Sequence, residues 1–462
     1  MKGSVVATAM LALAVLATPG LGAARTDRVQ VDVSKLRGTQ SETTIAVDPS
    51  NPSVLLAGSN NHRNRQVAAF SSTDGGASWT GADPPTPPTS LAAGDPVVAI
   101  DRAGRQYFGY IALFQASSRS FRSGLFVPSR AGAGAPWSLP ARPVENVAGG
   151  FDDKPALAVD DSAASPHADR LYIAWSRITA SAGTAFGTIY LAHSDDAGAT
   201  WSTPAMVSDR RGPLDSYPSI DVARDGTVYV AFWDWAGRGV YLDASHDGGD
   251  TFGRDVLVDP IHGRSGCSPS GVSIPAQPAN CVRPNPIVSV DNSAGPFAGR
   301  VYVTYGDTGA RRRKEQDVFA AAFDPALRLL FRRHQLTRPD GAVRSDQFWP
   351  ASAVDPSTGI VWACFYDTRG DRRLRRAWYS CTRSRDGGVS WAAPVRAATA
   401  ASNERARGAD SVHGSLKREY GDYEGLAVTA GIAHPVWTDT RRLRTLREEV
   451  YTTTLSDASF PR

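Results

Sequence analysis

Two repeated phrases and a turn-rich composition predict an all-β fold, a seven-bladed β-propeller of four-stranded antiparallel blades closed by an N-terminal strand. The chain has 462 residues, 42% of them hydrophobic and 21% charged. Those values exclude wholesale disorder, collagen and coiled coil. Its 43 Gly, 31 Pro and 11 Trp favour short strands joined by turns over long helices.

The first phrase, S-x-D-x-G-x-[ST]-[WF], occurs four times: Ser72–Trp79, Ser194–Trp201, Ser245–Phe252 and Ser384–Trp391. Each copy follows a strand-like run, so it reads as a hairpin turn. The Asp carboxylate accepts turn amides, Gly supplies positive φ and the aromatic tucks beneath. Asp74, Asp196, Asp247 and Asp386 are therefore expected to be structural. Repeat two keeps a worn copy ending in Trp137, and repeat five has lost it around Phe323-Asp324-Pro325.

The second phrase is an apolar strand, x-P-x-[IVL]-x-V-D, followed by a turn and a strand rich in Tyr, Val and Trp. It recurs seven times: Thr43–Asp48, Pro96–Asp101, Pro155–Asp160, Pro218–Ala223, Pro286–Asp291, Pro350–Asp355 and Glu424–Thr429. Spacings of roughly 60 residues, each with room for four short strands, are those of propeller blades. The seventh repeat ends after its third strand, and Val29–Val33 is expected to supply the fourth, leaving no open sheet edge. A six-bladed ring is the alternative.

Residues 1–24 read as a secretory signal peptide, with Lys2, an apolar run from Val5 to Ala17, and Gly22-Ala23-Ala24. Residues 25–462 are expected to form one exported, soluble, monomeric domain with no membrane partner. Fifty Lys+Arg against 46 Asp+Glu leave +4, too balanced for a nucleic-acid partner. The four cysteines form two local pairs, Cys267 with Cys281 and Cys364 with Cys381, expected as disulfides in an oxidising compartment. No histidine spacing supports a transition metal. No cofactor is expected, and a structural Ca²⁺ is not readable from this sequence.

In a four-stranded blade the start of the innermost strand and the end of the second lie on one face, opposite the Asp-containing turn. Glu42, Asp95, Asp152, Asp153, Asp215, Asp346 and Asp422 fall near the starts. Arg63, Arg177, Asp234, Asp307, Asp367, Arg369, Asp439 and Arg441 fall near the ends, with Tyr366 and Trp437 close by. Carboxylates, arginines and aromatics together suit glycan chemistry: rings stack on sugars, arginines clamp anions, paired acids move protons. Asp367-Thr368-Arg369 and Asp439-Thr440-Arg441 equally fit repeat-specific structural salt bridges. Arg311–Lys314 reads as a solvated loop.

Over residues 29–455 the repeats resemble the sialidase-like superfamily of secreted proteins with BNR repeats, or Asp boxes. The resemblance implies a propeller that recognises a glycan, its arginines suiting an acidic one, and a candidate glycoside hydrolase. Sialidases use an arginine triad on the substrate carboxylate, a Tyr/Glu nucleophile pair and an Asp acid. Carried onto this chain, the candidates are Asp95, Asp153, Tyr423 and Glu424 for catalysis, and Arg63, Arg369, Arg441, Asp346 and Tyr366 for substrate binding. The Arg-Ile-Pro phrase of sialidases is absent, SETTIAVD standing in its place, and sialidases have six blades. A non-catalytic glycan- or protein-binding propeller and a polysaccharide lyase are the competing readings.

Overall fold

The computed structural model describes residues 29–461 except 118–119, 141, 143–149, 182–183, 210–213, 235–238, 264–270, 310–314, 338–343, 407–410, 414–415, 418–419 and 443–446. The expected signal peptide, Cys267 and Arg311–Lys314 lie outside the described residues.

Alternating apolar residues followed by Gly- and Asp-rich turns dictate antiparallel strands. Among the described residues these build seven sheets of four or more strands, with two small hairpins inserted between them. The innermost strands begin at Gln40, Ala92, Gly150, Asp215, Ile287, Gln347 and Gly425. Each packs beside the next, and the last packs beside the first, so the sheets stand around a common axis. The closing seam is tight: a Cβ at Gly425 would lie 2.9 Å from the backbone of Thr44 and Ile45. Only glycine permits that approach.

The last sheet recruits the N-terminus. Gln30–Asp32 pairs antiparallel with Arg447–Thr453, Val31 opposite Thr452, and Val33 N donates to Val450 O at 2.8 Å. The edge strand of the final sheet is thus covered by the start of the chain.

The second sheet departs from the expected four-across pattern. Its third strand, Ser120–Phe126, gives way at Val127-Pro128 and resumes as Ser129–Arg130 on the same neighbour, Gln106–Ser117. Pro128 has no N–H to continue the ladder.

The core is divided into wedges between neighbouring sheets. Leu56 and Phe108 pack between the first two, Tyr172 and Phe232 between the third and fourth, Trp362 and Trp437 between the sixth and seventh. Cys364 and Cys381 face each other on adjacent strands of the sixth sheet and are disulfide-bonded, S–S 2.10 Å. Cys281 is also disulfide-bonded.

The four repeated turns share one geometry. At the first, Ser72 Oγ donates to Asp74 at 2.8 Å, while Ser78 N and Oγ donate to the two carboxylate oxygens at 2.9 and 2.6 Å. The same bonds recur at Asp196, Asp247 and Asp386. Ser78's donors hold the Asp74 carboxyl down at about 2. Register puts each of these turns at one end of its sheet, as in the first: Ser72 pairs with Leu55 and Leu55 with Val47, whereas Gln40, Asn61 and Gln66 align at the other end. Asp247→Ala or Asp386→Ala should cost roughly 1–3 kcal/mol of stability by orphaning turn amides, without altering ligand affinity of the folded protein. Thermal melts beside binding isotherms check this. An experimental structure should show seven sheets around the axis, and six would overturn the arrangement.

Candidate functional site

At the end opposite the turns, a single position recurs from sheet to sheet. Glu42, Asp95, Lys154, Tyr217, Asn285 and Trp349, each just before or within the start of an innermost strand, have φ between 41° and 55°. Strand register shifts around five of them. A non-glycine residue in this region costs about 1–2 kcal/mol. Bulges of this kind re-aim side chains, and strain repeated at one level of a ring points to function. Tyr423 holds the matching position in the seventh sheet.

The side chains from this level converge on Lys154. Its Nζ lies 2.8 Å from Asp422, 3.1 Å from Asp95 and 3.4 Å from Glu42, carboxylates carried by the seventh, second and first sheets. Tyr217 and Tyr423 present their rings to the same ammonium at 5.5 and 5.9 Å. Asn60 fixes two partners at once, donating to Glu42 at 2.7 Å and accepting Asp95 N at 3.0 Å. Arg283, just past the inserted hairpin strand Gln277–Val282, reaches Asp422 at 3.7 Å and Tyr217 Oη at 3.4 Å. Asn280 of that hairpin donates to Asp422 at 3.3 Å.

These groups, Tyr423 excepted, line a cavity of about 390 Å³, walled also by Ser41, His62, Arg65, Gln66 and Asp153. A second cavity of similar volume, lined largely by apolar residues of the innermost strands, meets it at Lys154 and Tyr217.

Burial and crowding separate the acids. Glu42 is pushed well above the usual carboxylate range by burial, then by Asp95, with which it shares a hydrogen bond. Asp153 is raised to about 7, chiefly by burial, with Asp95 and Asp422 adding to it and Lys154 opposing. For Asp422 burial pushes upward, but Lys154 and Arg283 outweigh it and hold the carboxyl below its ordinary value. Lys154, although buried, is kept charged by Asp422, Asp95 and Glu42.

The other candidates are distributed differently. Tyr423 donates its hydroxyl to Pro96 O at 3.0 Å, and burial beside Glu42 and Asp95 pushes its phenol far up, keeping it neutral. Glu424 is buried at the wall of the second cavity; Tyr366 and Thr43 donate to it, and burial raises it to about 8. Tyr366 is wholly buried with it. Asp346 is buried between the fifth and sixth sheets, accepting Gln316 N at 3.1 Å. Arg441 is forked onto Asp439 at 2.9 and 2.6 Å, and Arg369 lies 3.7 Å from Asp367. Arg63 is exposed on the turn beside Arg65, and neither it, Arg369 nor Arg441 lines the cavity. Asp95 and Asp153 are brought together there; the three arginines are not.

Lys154, Tyr217, Asn60 and Arg283 were not among the sequence candidates. The pre-strand position itself was a signal for the first two, and Lys154 is one of only five lysines. Nothing in the sequence placed the hairpin carrying Arg283 over the mouth. Among the described residues, one trio could share a cation, Asp259, His262 and Asp307. Arg333 already occupies it, 2.7 and 2.8 Å from the two carboxylates.

No family model and no curated protein matches the chain. Among solved structures, the Hadza microbial sialidase Hz136 is 14% identical with a TM-score of 0.48, covering 90% of this chain and 75% of that one. The leech intramolecular trans-sialidase is 12% identical, TM-score 0.47, covering 72% and 65%. The GH93 α-L-arabinofuranosidase of Fusarium graminearum is 11% identical, TM-score 0.47, covering 93% and 98%. These neighbours are sialidase-like propellers.

Lys154→Met should leave three buried carboxylates without their shared cation, a loss of about 3–5 kcal/mol at neutral pH. The variant's acids then have raised folded-state values, so the deficit grows as pH rises above about 4 and shrinks toward it. Denaturant melts at pH 4.5 and 7.5 measure both, and an equal loss at the two pH values would contradict this account.

Proposed function

We propose that this ring mouth is the active site of an exported glycoside hydrolase. The observation that carries the proposal is the convergence of an ionised carboxylate, Asp422, and a carboxyl titrating near neutrality, Asp153, in one polar cavity. Hydrolysis of a glycosidic bond needs this division: one protonated acid for the departing oxygen and one carboxylate for the anomeric centre or for water. In this reading Asp153 is the acid and Asp422 the carboxylate. Lys154 and Arg283 keep Asp422 ionised, Glu42 and Asp95 hold Lys154 in place, and Tyr217 frames the sugar. The apolar leader at residues 5–17 supports export.

A sialidase-type anion clamp has no support from Arg369 and Arg441, which are turned to Asp367 and Asp439. Asn, Ser, His and Gln side chains at the cavity wall suit the hydroxyls of a neutral sugar.

Aryl glycosides spanning hexoses, pentoses and sialic acid test the reading. Asp422→Asn should lose turnover on the accepted glycoside by on the order of 10³-fold or more. Asp153→Asn should lose most on substrates with poor leaving groups, which need protonation, and least on activated ones. In the wild type kcat/KM should fall as pH rises through about 7, where Asp153 gives up its proton, and fall again in acid as Asp422 gains one. Binding of sugars without turnover across the panel would favour the non-catalytic propeller.

A further inference from the structure

The sixth sheet carries a second basic feature on the same face. Its second strand, Val361–Asp367, ends opposite Gln347, at the mouth end of the sheet. The loop that leaves it holds Arg369, Arg372, Arg373, Arg375 and Arg376 against a single acid, Asp371. That carboxylate is turned inward, accepting Arg373 N, Arg375 N and Arg376 N at 3.4, 2.9 and 2.8 Å. Burial favours its protonation, but the three amides outweigh that and hold the carboxyl below the usual range.

The loop is built, not loose. Leu374 is buried as its apolar anchor with φ 53°, and Ala377 exchanges two backbone hydrogen bonds with Ser402 at 3.1 and 2.8 Å. Arg372, Arg373, Arg375 and Arg376 are exposed. Arg376 has Asp371 at 3.8 Å, whereas the guanidinium groups of Arg372, Arg373 and Arg375 meet no carboxylate among the described residues. Beside them Arg396 stacks on Trp378 at 3.9 Å.

We propose that this loop is a docking surface for an acidic polysaccharide, separate from the ring mouth. Guanidinium forks bind sulfate and carboxylate groups bidentately. Ordering the loop in advance lowers the entropy lost when a flexible polyanion is held. A nucleic acid fits less well. Its binding proteins present an extended basic stripe and open aromatic faces for bases. Here four exposed arginines are grouped on one loop of a chain of net charge +4, and guanidinium covers the Trp378 ring. The placement at the mouth end would keep an acidic chain beside the site that acts on glycans, yet the docking does not depend on hydrolysis.

Titration of the full chain with dextran sulfate, polygalacturonate, neutral dextran and a single-stranded oligodeoxynucleotide, at several salt concentrations, tests the proposal. Dextran sulfate or polygalacturonate should bind and dextran should not, and the tighter of the two identifies sulfate or carboxylate as the group held. The triple variant Arg372→Gln, Arg373→Gln, Arg375→Gln should lose affinity on the order of tenfold and show a shallower salt dependence, with an unchanged melting temperature. Asp422→Asn should bind the polyanion as the wild type does. Undiminished binding by the triple variant overturns the proposal, as does loss of binding in Asp422→Asn. An oligonucleotide bound as tightly as both polysaccharides would also overturn it and assign the loop to nucleic acid.

Discussion

The ring depends at its mouth on one buried ammonium. Lys154 Nζ meets carboxylates from three other sheets within 3.4 Å. Because those sheets are far apart in sequence, the contact ties the start of the chain to its end across the axis. A buried charge of this kind is expensive to desolvate and is repaid only by close, hydrogen-bonded counter-charges. Here the repayment fixes the level of the innermost strands. It also decides which acids keep protons: Asp422 is ionised because it lies nearest to Lys154 and also meets Arg283, whereas Glu42 must share a bond with Asp95.

The same level explains the backbone strain. A regular strand would send alternate side chains into the wedges between sheets, where Glu or Lys would be unpaired. The bulges insert one residue and rotate its side chain toward the axis, with the apolar alternation resuming after it. Six positions adopt left-handed φ without being glycine. The interactions at the mouth and the ladders on either side must offset several kcal/mol for this. The opposite face carries such strain at Asp169, Ala197, Leu327 and Ala430, but its four repeated turns place glycine at most of their positive-φ positions and pair their Asp carboxylates within the turn.

Much of the architecture was legible because it is repetitive. The seven apolar strands and the four Ser-x-Asp turns each carry local chemistry that any single copy expresses, and the closing role of residues 29–33 followed from the missing strand in the last repeat. The site was less legible, because it is made by what differs between repeats at one shared position. Asp95 and Asp153 could be named from type and place alone. Lys154 could not, since its meaning arises only when Asp422, from the other end of the chain, stands 2.8 Å away. Arg369 and Arg441 do not line the cavity for the converse reason: each meets the Asp two residues earlier, Asp367 or Asp439.

The inserted hairpin turns this symmetric ring into an asymmetric site. Its apolar residues Val272, Ile274 and Val282 join the wedge of the sixth and seventh sheets with Phe348, Trp349 and Tyr420. Trp349 donates from its indole to Gln277 at 3.0 Å, so the aromatic arc of the ring is roofed by the hairpin. The charged arc, from Glu42 through Asp95 to Lys154, remains open to the cavity. Asn280 and Arg283 hang from the roof edge onto Asp422. The hairpin therefore covers one arc of the ring and leaves the acids on the other, an asymmetry that seven equivalent repeats would not produce.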